Sequence, residues 1–163
     1  MPNRRSFLTL AGLSAGALAL FGRNAAPALA AERFPLTLPD AEWKKRLSPA
    51  AYDVLRHEGT ERPFSSPLLN EHRSGHFVCA GCALPNFSSK TKFESGTGWP
   101  SFWAPLPGGV GTKTDTSLFM TRVEIHCARC GGHLGHVFDD GPRPTGKCYC
   151  MNGVALKFQP GAA

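Results

Sequence analysis

The chain has 163 residues, 42% of them apolar and 18% charged, enough for one domain with a modest core of its own. The formal charge of +6 comes with no basic stripe or block, and the longest basic cluster, Lys44-Lys45-Arg46, reads as the solvated face of a helix. Charge therefore gives no argument for a nucleic-acid partner.

The N-terminus reads as a leader. Arg4-Arg5 precedes an apolar run from Leu8 to Phe21, and Ala28-Leu29-Ala30 offers small residues where a signal peptidase reads. A basic start, a short apolar core and an A-x-A end make a secretory signal, and the paired arginines resemble a twin-arginine export signal. A membrane anchor is the competing reading, but a spanning helix needs about 20 apolar residues, and this run is shorter and broken by Thr9, Gly12, Ser14 and Gly16. The expectation is cleavage after Ala30, export to the periplasm, and no membrane association afterwards. Residues 31–163 would form one domain carrying +3, since Arg4, Arg5 and Arg23 leave and no acidic residue does.

A first helix is predicted over Asp40–Leu47 with Asp40 as N-cap. A second starts at Ser48-Pro49, a serine N-cap followed by proline at the first helical position. Tyr52, Val54 and Leu55 share its inner face, and Gly59 ends it. Beyond Gly59 the scattered prolines and glycines disfavour long helices. Short β-rich runs follow at His76–Cys79, Thr116–His126, Leu134–Phe138 and Cys148–Phe158. The stretch 107–113 lacks the Gly-Lys-Ser/Thr ending of a phosphate loop and reads as a turn. The fold expected is a mainly β, antiparallel domain with short N-terminal helices packed at one side.

Cys79-Ala80-Gly81-Cys82 and Cys127-Ala128-Arg129-Cys130 are two Cys-x-x-Cys knuckles. Two thiolates at this spacing turn towards one ion, and two knuckles complete a tetrahedral four-cysteine zinc site. Four thiolates leave no open position, so the metal would be structural. Disulfides are the rival in an oxidising compartment. A redox pair is less suited, because neither knuckle opens a helix in a βαβ pattern. Export of an already folded, zinc-loaded protein fits the twin-arginine reading.

Zinc leaves Cys148 and Cys150. In a strand these and Asn152 would face one side. Their Cα atoms would stand about 6.4–6.8 Å apart, the upper edge of disulfide reach. Upstream, His133 and His136 are placed to lower a thiol pKa or move a proton, although a lone histidine more often is a surface or satisfied core residue. Trp99, in a glycine-rich aromatic segment, fits either the core or a pocket wall for a methyl-sulfur group.

The segments Gly59-Thr60-Glu61-x-Pro63-Phe64, Gly98-Trp99-Pro100-Ser101-Phe102, His133-x-Gly135-His136-Val137-Phe138-x-Asp140-Gly141-Pro142 and Tyr149-Cys150-x-Asn152 occur in this order. With the two knuckles they closely resemble the B-type peptide-methionine (R)-S-oxide reductases, over roughly residues 40–160. The resemblance implies a tent-like β fold with a structural zinc held by Cys79, Cys82, Cys127 and Cys130, and reduction of the R epimer of methionine sulfoxide in oxidised proteins. It makes Cys150 the nucleophile, with one of His133 and His136 assisting proton delivery. Asn152 would orient the substrate or its water, and Trp99 would pack on the substrate methyl. A thioredoxin-like or other thiol reductant would restore the enzyme.

Two departures stand out. The family often carries a resolving cysteine where this chain has Thr97, and an arginine where it has Cys148. Cys148 is either a replacement resolving thiol or a bystander beside a sulfenic acid reduced from outside. Two rival functions stay in view: a zinc-supported binding module without catalysis, and a thiol-disulfide oxidoreductase using Cys148 and Cys150.

Overall fold

The computed structural model describes residues 33–117 and 120–163. The segment 1–30, read above as an export signal, lies outside the described residues, as do Leu118 and Phe119. Among the described residues two α-helices come first, α1 at Asp40–Arg46 and α2 at Pro49–His57. The Ser48 hydroxyl caps α2 by accepting from the Ala51 N–H at 3.2 Å, as its position before Pro49 predicts. Such a cap contributes about 1 kcal/mol. Asp40 is not an N-cap. Pro39 holds that place, and the Asp40 carboxylate instead accepts from the Tyr52 hydroxyl and pairs with Lys44. At the far end of α2 the left-handed residue is Glu58, φ 57°, rather than Gly59. Gly59 has its own reason to be glycine, since a Cβ there would lie 2.2 Å from the Asp53 carboxylate.

Nine strands follow among the described residues: β1 Gly75–Cys79, β2 Pro85–Ser88, β3 Lys92–Phe93, β4 Ser101–Phe102, β5 Val110–Asp115, β6 Arg122–Cys127, β7 His133–Phe138, β8 Cys148–Met151 and β9 Leu156–Pro160. They form two antiparallel sheets, one in the order β2-β1-β9 and one in the order β3-β4-β8-β7-β6-β5. The mainly β, antiparallel expectation holds.

The strand boundaries depart from it in several places: β2, β3 and β4 are strands the sequence did not mark. The run expected at Thr116–His126 begins only at Arg122, while residues 110–113, read as part of a turn, belong to β5 at 110–115. Only Pro107-Gly108-Gly109 turns. β5 is a sheet edge, and Thr112, Lys113 and Thr114 are exposed, so it lacks the alternation of a half-buried strand. The run Cys148–Phe158 is two strands in different sheets. Glu61 explains the break: its carboxylate accepts from the N–H groups of Gly153 and Val154, holding residues 153–155 in a 3-10 turn that leads from one sheet to the other.

The sheets share an aromatic core. Phe102 of β4 stacks on Phe87 of β2 with ring centres 4.4 Å apart and takes the edge of Phe77 of β1 at 4.9 Å. All three rings are fully buried, each such burial being worth roughly 2–3 kcal/mol. Trp43, Val54 and Leu55 from the helices, and Ile125, Leu134 and Met151 from the larger sheet, complete the core.

Candidate active site and metal centre

The two knuckles meet. Cys79 ends β1 and Cys127 ends β6, so their loops join the smaller sheet to the larger. Their backbones repeat one pattern. The N–H of Ala83 bonds the Cys79 carbonyl and that of Gly131 bonds the Cys127 carbonyl, while Cys79 and Cys127 donate to the carbonyls of Leu84 and Gly132. The residue after each knuckle, Ala83 or Gly131, is left-handed at φ 57° or 65°. All four sulfurs lie within 4.8 Å of one another. The Cys79–Cys130 and Cys82–Cys127 distances are 3.7 and 3.4 Å. Metal–sulfur bonds of about 2.3 Å set tetrahedral edges of about 3.8 Å, whereas a disulfide requires about 2.05 Å. The six cysteines are free thiols, and these four form a cluster fit for one metal ion with no fifth position.

The second site is a row across the larger sheet. The register pairs Ser101 with Cys150, Cys150 with His136, His136 with Glu124 and Glu124 with Lys113. Residues directly opposite in antiparallel strands face the same side, with Cβ atoms about 4.5–5.5 Å apart. Cys150 and His136, 14 residues apart in sequence, are thus neighbours by register. The Cys150 sulfur lies 3.7 Å from the hydroxyls of both Ser101 and Thr97, and 3.3 Å from the Cys148 sulfur. Around Cys150 opens a cleft of about 290 Å³, walled by Trp99, His136, Phe138, Thr97 and Asn152.

His133 and His136 sit differently. Residues three apart in a regular strand face opposite sides. Here the register passes from His126↔His133 to Ile125↔Gly135, a bulge of one extra residue in β7. It removes that alternation, and the two rings stand 5.4 Å apart. Gly135 is small for a separate reason: a Cβ there would lie 2.1 Å from the Cys150 carbonyl. His136 borders the cleft. His133 is buried behind it, its Nδ1 2.9 Å from the Glu124 carboxylate, its Nε2 without a hydrogen-bond partner. It faces an adjoining cavity of about 320 Å³ that His136 also lines.

Each imidazole has its own carboxylate. His136 Nε2 lies 2.8 Å from Asp115 Oδ2, which also accepts from Arg122 at 2.7 Å. Burial pushes the His136 imidazole below its ordinary pKa, opposed by the bond to Asp115. The Asp115 carboxyl is held far below the usual carboxylate range, first by Ser117, then by His136 and Arg122. Burial works to raise the Glu124 carboxyl, and His133 with Lys113 outweighs it, holding the group ionised. Beside Cys150, burial above all and then the bond to the neighbouring sulfur push the Cys148 thiol up to about 12.

Glu61 ties the cleft wall together. Its carbonyl accepts from Trp99 Nε1 at 3.1 Å, and its N–H donates to Asn152 Oδ1 at 2.9 Å. The Asn152 amide nitrogen donates to the Leu134 carbonyl at 3.1 Å. Asn152 is thus a buried bracket between β7, β8 and the Glu61 loop, with its side chain at the cleft.

The structure therefore gathers Cys150, His136, Asn152 and Trp99 at one cleft, with Cys148 buried against the Cys150 sulfur and His133 behind His136, and the four knuckle cysteines at another site. Residue-level reading passed over Asp115, Glu124, Arg122 and Ser101. Their signal lies in strand register, and two of them sit next to a strand whose start was misplaced.

The SelR domain matches residues 47–160. The peptide methionine sulfoxide reductase MsrB of Methanosarcina barkeri is 57% identical over 121 residues, covering 74% of this chain and 85% of that protein. The proteins of the same name from Leptospira interrogans and Agrobacterium fabrum are 54% and 52% identical over 121 and 122 residues, covering 74% of this chain in each case and 92% and 90% of their own lengths. The chain belongs to the SelR-domain family, that of the MsrB-type methionine sulfoxide reductases.

Proposed function

We propose that this protein reduces the R epimer of methionine sulfoxide in oxidised proteins, with Cys150 as nucleophile and His136 as proton carrier. The observation that supports this most is the register that sets Cys150 opposite His136 on a cleft walled by Trp99. His136 Nε2 is committed to Asp115, leaving Nδ1 for the cleft. Burial favours the neutral form of the His136 imidazole, the form that accepts a proton. In the reaction Nδ1 takes the proton of the Cys150 thiol and passes it to the sulfoxide oxygen. The Cys150 sulfur attacks the sulfoxide sulfur, and the S–O bond breaks with the oxygen ending on Cys150. Methionine leaves, and Cys150 becomes a sulfenic acid. Trp99 supplies an aromatic face for the methyl-sulfur group, while Asn152 and Glu61 keep that wall in place. His133, through Glu124 and its ring contact, is a positioning residue for His136.

The metal in the four-cysteine cluster is best read as zinc, which would supply folding stability and no catalytic step, because four thiolates close its shell. An external thiol reductant of the thioredoxin type would return Cys150 to the thiol. Residues 1–30 are read as a cleaved export signal and the protein as periplasmic, on the sequence pattern alone; N-terminal sequencing of protein from envelope fractions should find Ala31 first.

The decisive measurement is an epimer-resolved assay of wild type beside Cys150→Ser. The wild type should convert the R epimer in peptides and the variant neither epimer. Equal activity in the two proteins, or turnover of the S epimer alone, would overturn the reading. Activity on protein disulfides without any on sulfoxides would favour the thiol-disulfide alternative.

A further inference from the structure

Resting on the reading of Cys150 as nucleophile, we propose that Cys148 is the resolving thiol, closing a Cys148–Cys150 disulfide within one strand after each turnover. The two sulfurs already touch at 3.3 Å. No other cysteine sulfur is in contact with Cys150 among the described residues, and the four knuckle thiols face one another in their own cluster. On the cleft side the contact of Cys150 is the Thr97 hydroxyl, which cannot form a disulfide. A sulfenic acid at Cys150 is thus held against one thiol.

The condensation balances. The Cys148 sulfur attacks the Cys150 sulfur, the S–O bond breaks, and an S–S bond forms. Hydroxide leaves with the Cys148 proton as water. Cys148 supplies the electrons that reduce the sulfenic acid, and an external dithiol then reduces the disulfide to the two thiols. The attack is unimolecular, so contact gives it an effective concentration no dissolved thiol reaches.

Geometry sets the cost. Same-face Cα atoms in an extended strand are about 6.4–6.8 Å apart, the upper end of disulfide spacing. Bringing the sulfurs from 3.3 Å to about 2.05 Å needs the pleat of β8 to tighten. The tightening falls at the end of the strand, one residue before Met151 and the turn at Gly153, and it draws on the pairings of β8 with β4 and β7 on either side. Disulfides closed at the limit of reach are readily reduced, which suits a bond remade at every turnover.

The test uses the full, metal-loaded chain without reductant. One portion receives one equivalent of a peptide carrying a single methionine (R)-sulfoxide, a second one equivalent of hydrogen peroxide. Each is quenched with dimedone, a sulfenic acid trap, and read by mass spectrometry. The expected result in both is a peptide containing Cys148 and Cys150 that is two hydrogens lighter and carries no dimedone, and in Cys148→Ser a dimedone adduct on Cys150. Wild-type protein that makes methionine yet carries dimedone on Cys150 overturns the inference, as does a peroxide-treated wild type trapped the same way. Absence of methionine with the disulfide formed by peroxide would instead count against the sulfoxide reading and leave the thiol pairing standing.

Discussion

Cysteines serve this chain in two regions, and the backbone decides how. At the metal centre, two copies of one loop turn four sulfurs inward to a shared point, and each loop stands on its own local hydrogen bonds. At the cleft, Cys150 is one member of a row built by strand register, from Ser101 to Lys113 across five strands. The first arrangement is fit to close around one ion and leaves no further position. The second leaves a sulfur open to a cavity beside the His136 imidazole. Reactivity thus follows from what faces the thiol, and the two regions should fail in different ways.

The largest effect is expected at the metal centre. Structural zinc contributes an apparent binding energy of about 10–16 kcal/mol in small domains, as much as a whole domain's stability of about 5–15 kcal/mol. Removing the metal with a strong chelator, or Cys127→Ser, should therefore unfold the protein, seen as loss of the cooperative thermal transition and of the β signal in circular dichroism. A chelator-treated protein that keeps its melting temperature would show that the sheets hold without metal. Cys150→Ser should do the reverse: an unchanged melting temperature and metal content, with activity down by at least about 1,000-fold, as when a catalytic nucleophile is removed.

Next comes His136, the proposed proton carrier. His136→Asn should lower kcat/KM by about 100- to 10,000-fold. The pH profile carries a sign. Burial lowers the His136 pKa from its ordinary value of 6.5, so the acidic limb, where the imidazole charges and can no longer accept a proton, should lie below that value. The Asp115 carboxylate favours the charged ring. In Asp115→Asn that support goes and the Arg122 charge stands unneutralised, so the limb should move to lower pH. A limb that stays put would mean that another group carries the proton.

The metal centre was legible in the sequence because a knuckle is a four-residue event whose ligands are named by spacing. The α2 start was legible for the same reason: Ser48 and Pro49 act on the next turn alone. The cleft was legible only as a set of segments. Which residues touch depends on β7 pairing with β8 and β6, on the bulge at Leu134, and on β5, whose exposed edge gives no alternating pattern. Asp115 ends β5 and Arg122 starts β6; with residues 107–113 read as a turn and the next strand begun at Thr116, the bonds of Asp115 to His136 and Arg122 could not be seen. The break between β8 and β9 was hidden likewise, because the carboxylate that enforces it belongs to Glu61, over 90 residues upstream.

Glu61 offers the finest test of the separation between the two regions. Its backbone holds Trp99 and Asn152, and its carboxylate holds the Gly153–Val154 turn. In Glu61→Gln the backbone contacts persist, and the amide oxygen can accept from one of those N–H groups but brings no charge to the bond. Hydrogen bonds to an ionised group are roughly twice as strong as neutral ones, so the loss should be about 1–2 kcal/mol in stability. The cleft wall loosens without losing a reacting group, so KM should rise by up to about tenfold, the equivalent of 1.4 kcal/mol, with kcat changed less. The metal centre does not touch Glu61, and bound metal should stay at one ion per chain. Steady-state kinetics, thermal melting and metal analysis on one preparation separate these outcomes. A fall in metal content would show that the turn between β8 and β9 couples the two regions, since β9 pairs with the strand that ends in Cys79.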